Sequence, residues 1–142
     1  MSDTTQGSRL EALRSIPLFS ELPEEGLHRL LERASEFEAA TGHILVQANQ
    51  PGAGLFVIES GSVTVELPGR TIELGPGEFF GELALLDEGA VHVARVRVAE
   101  PLRCLAVARD DFDKLLAEEP ALAVSMLRIL ARRLAEAARR HP

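Results

Sequence analysis

Apolar residues change their spacing twice along this chain. In Leu10-Glu11-Ala12-Leu13-Arg14-Ser15-Ile16 they recur at helical intervals, which predicts a helix that stops before Pro17. Pro23 opens a second helix, with Glu24 and Glu25 in its first turn; it runs to about Ala34 and buries Leu27, Leu30 and Leu31. From Glu36 to Val107 the spacing shortens to β-rich runs separated by turn signals. The runs are Glu36–Ala39, Ile44–Gln47, Leu55–Ser60, Ser62–Leu67, Arg70–Leu74, Val93–Ala99 and Leu102–Ala108. Val63/Val65 and Val96/Val98 alternate with polar neighbours, as half-buried strands do. This predicts a mainly β fold with flanking helices, an antiparallel roll or barrel.

Helical spacing then returns. Asp110 or a neighbour caps a short helix through Leu116, and Pro120 starts the last helix, at about residues 120–140. Leu122, Met126, Ile129, Leu130, Leu134 and Ala137 form its main stripe, and Ala123, Leu127 and Ala131 widen it. That face is broader than packing on one sheet requires, which predicts contact with a second subunit. Residues 1–8 are polar and read as a disordered tail, leaving residues 9–142 as one domain.

Composition narrows the class. A chain of 142 residues is long enough for one well-buried core. It has no Trp or Tyr, so six Phe and the aliphatic residues must fill that core. Cys104 is the single cysteine; it reads as a small buried hydrophobe in a strand, and a reducing cytoplasm is the expected compartment. No apolar run is long enough to span a membrane, and the N-terminus lacks the apolar core of a secretory signal. The net charge of −7 is uneven: residues 120–142 hold five Arg and one Glu, so the first 119 residues carry −11. An acidic body argues against broad nucleic-acid binding. The C-terminal arginines complement the dipole of their own helix. His28, His43, His92 and His141 lack the spacing of a metal site, no nucleophile–base arrangement stands out, and an enzyme is not expected.

The stretch with the most chemistry is Phe79-Phe80-Gly81-Glu82-Leu83-Ala84-Leu85-Leu86, downstream of the Gly-punctuated hairpin Glu59-Ser60-Gly61-Ser62-Val63-Thr64-Val65. Gly81, lacking a Cβ, lets the backbone approach a ligand. The amides of Glu82, Leu83 and Ala84 open a short helix with free N–H groups suited to an anion. Glu82 can accept hydrogen bonds from a ribose hydroxyl. Together these suit a small phosphorylated sugar.

A helix pair, a roll, a Gly-Glu cassette and a C-terminal helix, in that order, resemble the cyclic-nucleotide-binding domain of the catabolite activator and of regulatory subunits of cAMP-dependent protein kinase. The resemblance runs from about Leu10 to Arg140. It rests on Ile16-Pro17-Leu18-Phe19, Gly54–Val65, Gly77–Leu86 and Leu130-Ala131-Arg132-Arg133-Leu134. It implies a jelly-roll-like double-stranded β-helix with N-terminal helices and a C-terminal helix. It also implies that Gly81 and the amides of Leu83 and Ala84 hold the cyclic phosphate and ribose, with Glu82 on the ribose 2′-hydroxyl. Aligned without gaps, the family's phosphate-binding arginine and the hydroxyl residue after it fall on His92 and Val93; with a loop one residue shorter the arginine falls on Val91, so in either alignment this chain departs from the pattern. Losing a charged Arg–phosphate pair lowers affinity about 10- to 100-fold. His92, if protonated, restores part of this; otherwise it is an exposed loop histidine. Arg95 and Arg97 are substitutes for the missing arginine or solvated strand charges. Ala137 and Ala138 stand where purine-reading hydroxyls are found, and Arg133 either approaches Glu82 and the phosphate or serves the helix dipole. With no residues after Pro142, no helix-turn-helix head is expected.

The resemblance therefore implies a stand-alone cytoplasmic regulatory module that binds a cyclic mononucleotide, cAMP first, and signals through its C-terminal helix. No separate cofactor, metal, membrane or nucleic acid is expected. The expected partner is a second copy, or another protein, on that helix. The alternative is a degenerate roll kept for interaction or dimerisation without nucleotide.

Overall fold

The computed structural model of the protein describes residues 2–47, 54–81 and 94–140. These fall into two compact units, where the sequence predicts one domain: residues 31–113 form the roll, and residues 1–30 with 114–142 form a helical unit.

In the roll, β1 (Ala34–Ala39), β2 (Ile44–Val46), β3 (Gly54–Leu67), β4 (Arg70–Leu74), β5 (Phe79–Phe80) and β6 (Arg95–Ala108) make one antiparallel sheet. Its backbone is the long β3–β6 ribbon, which pairs from Gly54↔Ala108 to Glu66↔Arg95. Each ribbon strand gives its outer edge to two short strands. β3 pairs with β5 through Phe56↔Phe80 and Val57↔Phe79, then with β4 from Val63↔Leu74 to Leu67↔Arg70. β6 pairs with β2 through Ile44↔Arg97, then with β1 from Ala39↔Leu102 to Ala34↔Val107. The change of partner at mid-strand curls the sheet into the jelly-roll-like β-roll implied by the sequence.

Two predicted strand breaks are therefore not breaks. The sequence places a hairpin at Ser60-Gly61-Ser62 and separates Val93–Ala99 from Leu102–Ala108. Instead, β3 and β6 each continue, and the register shifts between Ile58 and Val63. Gly61 has φ +84, and a Cβ there would lie 2.1 Å from the Pro101 carbonyl oxygen. Gly61 and Pro101 thus meet across the ribbon as a bulge. Pro101 has no N–H to give to a ladder, which suits that position.

The roll closes over Val46, Ile58, Val63, Phe80, Val96, Val98, Leu102 and Cys104, with Phe37, Phe56, Val65 and Leu74 packed against them. Cys104 is fully buried, as expected, and burial pushes its thiol up to about 12, with the negative Glu59 adding to the effect.

In the helical unit, α1 spans Ser2–Arg14. The helix predicted from Leu10 begins much earlier, in place of a loose tail over residues 1–8. Those residues are polar and carry no apolar stripe, so periodicity gave no signal there. Pro17–Phe19 forms a 3-10 turn that buries Leu18 and Phe19. Helix α2 (Glu24–Arg33) enters this unit with Leu27 and Leu30 buried. After β6 come α3 (Arg109–Glu118) and α4 (Pro120–Arg140). On α4, Leu122, Ser125 and Met126 are buried and Ile129, Leu130, Arg133 and Ala137 are half-buried. Leu134, predicted on that stripe, is 72% exposed, and Leu127 is 67% exposed. The helical rotation places both with Val124 on the opposite face.

Candidate functional site

Gly81 directly follows β5, and its position is built from three sides. The turn Gly75-Pro76-Gly77-Glu78 delivers the chain to β5: the Gly75 amide donates to Glu78 Oε2 (2.7 Å), and the Gly77 amide donates to the Ile58 carbonyl (2.7 Å). The Ile58 amide in turn donates to the Glu78 carbonyl at 2.9 Å. Phe80 then stacks on Phe56 with ring centroids 5.0 Å apart, and Phe56 meets Phe37 edge-on at 6.0 Å. These aromatic contacts hold the residue before Gly81 in the core. Gly81 itself has φ +95, and a Cβ there would lie 2.5 Å from the Gly54 carbonyl oxygen. Both the backbone conformation and the close approach require glycine.

Gly54, the first residue of β3, continues the same packing: a Cβ on it would lie 2.7 Å from the Val107 carbonyl oxygen. Its part in seating Gly81 was missed in the sequence, where it read as turn punctuation. The only available signal was its place just ahead of an apolar strand.

Of the predicted ligand residues, Glu82, Leu83, Ala84, His92 and Val93 lie outside the described residues. Gly81 lies in the roll unit. Arg133 lies half-buried on α4 in the helical unit.

The two arginines considered as substitutes for the missing phosphate partner have another role. Arg95 and Arg97 alternate with buried Val96 and Val98, as their spacing predicts. Both turn to Glu66 on β3. Arg95 donates to Glu66 through Nε (2.8 Å) and Nη2 (3.1 Å), and Arg97 Nε lies 3.6 Å from Glu66 Oε1. The hydrogen bond from Arg95, together with the positive charges of Arg95 and Arg97, holds the Glu66 carboxyl below the usual carboxylate range although burial acts the other way. Among the described residues no group of three or more His, Cys, Asp or Glu is arranged to hold a metal ion, and no helix is long and apolar enough to cross a membrane.

Comparison with known proteins fits this geometry. The cyclic nucleotide-binding domain family matches residues 36–119, a span that runs from the third residue of β1 through β6 and α3. The chain is 35% identical over 131 residues to the cyclic AMP receptor protein of Thermus thermophilus, covering 88% of this chain and 60% of that protein. It is 31% identical over 113 residues to a cyclic nucleotide-gated potassium channel of Mesorhizobium japonicum, covering 80% of this chain and 31% of the channel. The crystal structure of the Thermus thermophilus catabolite activator protein superposes with a TM-score of 0.76 at 34% identity, over 86% of this chain and 60% of that one. The chain thus spans less than two thirds of these relatives' own length. With more than half of its residues matched by the family, the chain belongs to the cyclic nucleotide-binding domain family.

Proposed function

We propose that this protein is a cytoplasmic regulatory module that binds a cyclic mononucleotide, cAMP first, in the segment that begins at Gly81, and signals through α4. The observation that carries the reading is Gly81. It is fixed in a glycine-only conformation directly after β5, and it is the glycine of the Gly81-Glu82 pair in a chain of this family. The choice of cAMP is supported by the Thermus thermophilus relative, which is named a cyclic AMP receptor protein. In this reading Gly81 and the amides of Leu83 and Ala84 hold the phosphate and ribose, Glu82 accepts from the ribose hydroxyl, and His92 and Val93 take the arginine and hydroxyl positions. Arg133 adds positive charge from α4. The response is a shift in a pre-existing balance of α4 conformations. A second copy of the chain is the proposed partner on the exposed face of that helix.

Calorimetry with cAMP and cGMP tests this. Binding is expected with cAMP, and Glu82→Ala is expected to abolish it. His92→Arg is expected to tighten binding about 10- to 100-fold, the range a charged phosphate contact supports. It should also remove a pH dependence near neutrality that wild type shows, because an imidazole titrates there and a guanidinium does not. No heat and no thermal shift at millimolar concentrations of either nucleotide overturns the proposal.

One observation favours a second reading, an interaction module without nucleotide. Arg95 and Arg97 are engaged at Glu66, so neither stands ready to replace the missing phosphate-binding arginine. The same titration decides between the two readings.

A further inference from the structure

Glu119 is the one charged side chain that is buried among the described residues, at 4% exposure. It stands between the end of α3 at Glu118 and the start of α4 at Pro120. Buried carboxylates require a partner. Here the partner is Arg29 on α2, whose Nη1 lies 2.5 Å from Glu119 Oε1. The seat is made by Gly26, almost one turn earlier on α2. A Cβ on Gly26 would lie 2.8 Å from Glu119 Oε2 and 3.3 Å from Oε1, so the missing side chain is the space the carboxylate occupies. Glycine is a poor helix former, and Gly26 stands within α2 with no positive φ to require it. The junction is closed on its own side as well. The Glu119 amide donates to the Leu115 carbonyl (2.8 Å), and the Leu122 amide donates to the Glu119 carbonyl (3.0 Å).

We infer that Glu119 is a positioning residue that couples the root of α4 to α2, by seating its carboxylate in the notch formed by Gly26 and Arg29. The coupling itself requires no ligand. That a nucleotide drives α4 rests on the function proposed above. The two charges are not equivalent: the Glu119 side chain is 6% exposed and that of Arg29 is 44% exposed. Removing Arg29 strands a buried carboxylate, whereas removing Glu119 leaves a guanidinium that water can solvate.

Amide hydrogen exchange on the nucleotide-free protein tests the coupling in Arg29→Ala, Glu119→Ala and the double variant, with Glu119→Gln as the volume-conserving control. In Arg29→Ala, exchange at residues 120–126 and at 24–30 is expected to accelerate together, about tenfold or more, a decade corresponding to about 1.4 kcal/mol. Strands β3 and β6 should stay unchanged. Glu119→Ala and Glu119→Gln are expected to have smaller effects. The double variant should resemble Glu119→Ala and not the sum of the singles. Additive effects, unchanged exchange at the start of α4, or equal acceleration in β3 and β6 overturns the anchor. With cAMP added, wild type should change at 120–126 and 24–30 together, and Glu119→Ala at 120–126 alone. Binding detected by calorimetry with a change at 120–126 alone in wild type overturns the coupling but leaves the nucleotide reading intact. Absence of binding overturns the nucleotide reading, and the nucleotide-free comparison still decides the anchor.

Discussion

Arg95 donates two hydrogen bonds to Glu66, and Arg97 approaches the same carboxylate, so the strand face that the sequence leaves open is an ion cluster. Its effect has a definite sign with pH. The folded state holds the Glu66 carboxyl below its ordinary value of 4.5, so the contribution is present above that value and is lost as pH falls through the folded-state value. Glu66→Gln should therefore be less stable than wild type at pH 7, with the gap narrowing towards pH 3. Urea midpoints at the two pH values measure this, and a gap that does not change with pH would mean the charges contribute nothing. Alternation made the placement of Arg95 and Arg97 legible in the sequence, but not their partner. Glu66 lies on another strand, and single-strand patterning does not reveal register. Gly81 gives the same lesson. The motif drew attention to it as a point of ligand approach, yet the contact that demands glycine is with the Gly54 carbonyl, far upstream in the chain.

The longer elements of the roll were legible in the sequence; the two-residue β5 (Phe79–Phe80), too short to show an alternation, and the joins between strands were not. The sequence predicts a hairpin at Ser60-Gly61-Ser62 and separates the runs Val93–Ala99 and Leu102–Ala108. Both places are instead irregularities within long strands, because the two stretches lie opposite each other and absorb one another's register shift. One sequence stretch cannot show that its irregularity is matched by another. Comparing two glycines of similar backbone conformation tests this reading. Gly61 (φ +84) and Gly69 (φ +78) both lie in the left-handed region, but only Gly61 has another backbone in the way. A Cβ on Gly69 would meet nothing within 4 Å. Gly69→Ala should cost about 1–2 kcal/mol from conformational strain alone. Gly61→Ala adds a 2.1 Å approach to the Pro101 carbonyl oxygen and should cost several kcal/mol, on the order of 3 or more. Chemical denaturation of the two variants distinguishes the costs; equal values would mean that the ribbon is not closed at the bulge.

For the molecule as a whole, the breadth of the last helix was legible in its sequence, and the assignment of its faces was only partly so. The main stripe is right at Leu122 and Met126 and wrong at Leu134, because a helix apolar on two sides gives no single phase to read. The exposed side carries Val124, Leu127 and Leu134, with exposed Ala131 between the two leucines. Their intervals of three, four and three residues are those of a seam between paired helices. Arg128 is exposed at the edge of that line, and Arg132 and Arg139 are exposed further from it, so the seam itself is apolar and its flank is basic. Leucines this exposed on a helix otherwise half-buried are costly to leave in water, and a second copy offers the same surface in return. The proposed pairing predicts that wild type sediments as a dimer in a concentration-dependent manner. Leu127→Glu/Leu134→Glu should sediment as a monomer with an unchanged far-ultraviolet circular dichroism spectrum, because both side chains already face solvent in the single chain. A wild-type protein that stays monomeric throughout the concentration series excludes a second copy as the occupant. A dimer that survives both substitutions places the pairing on another surface.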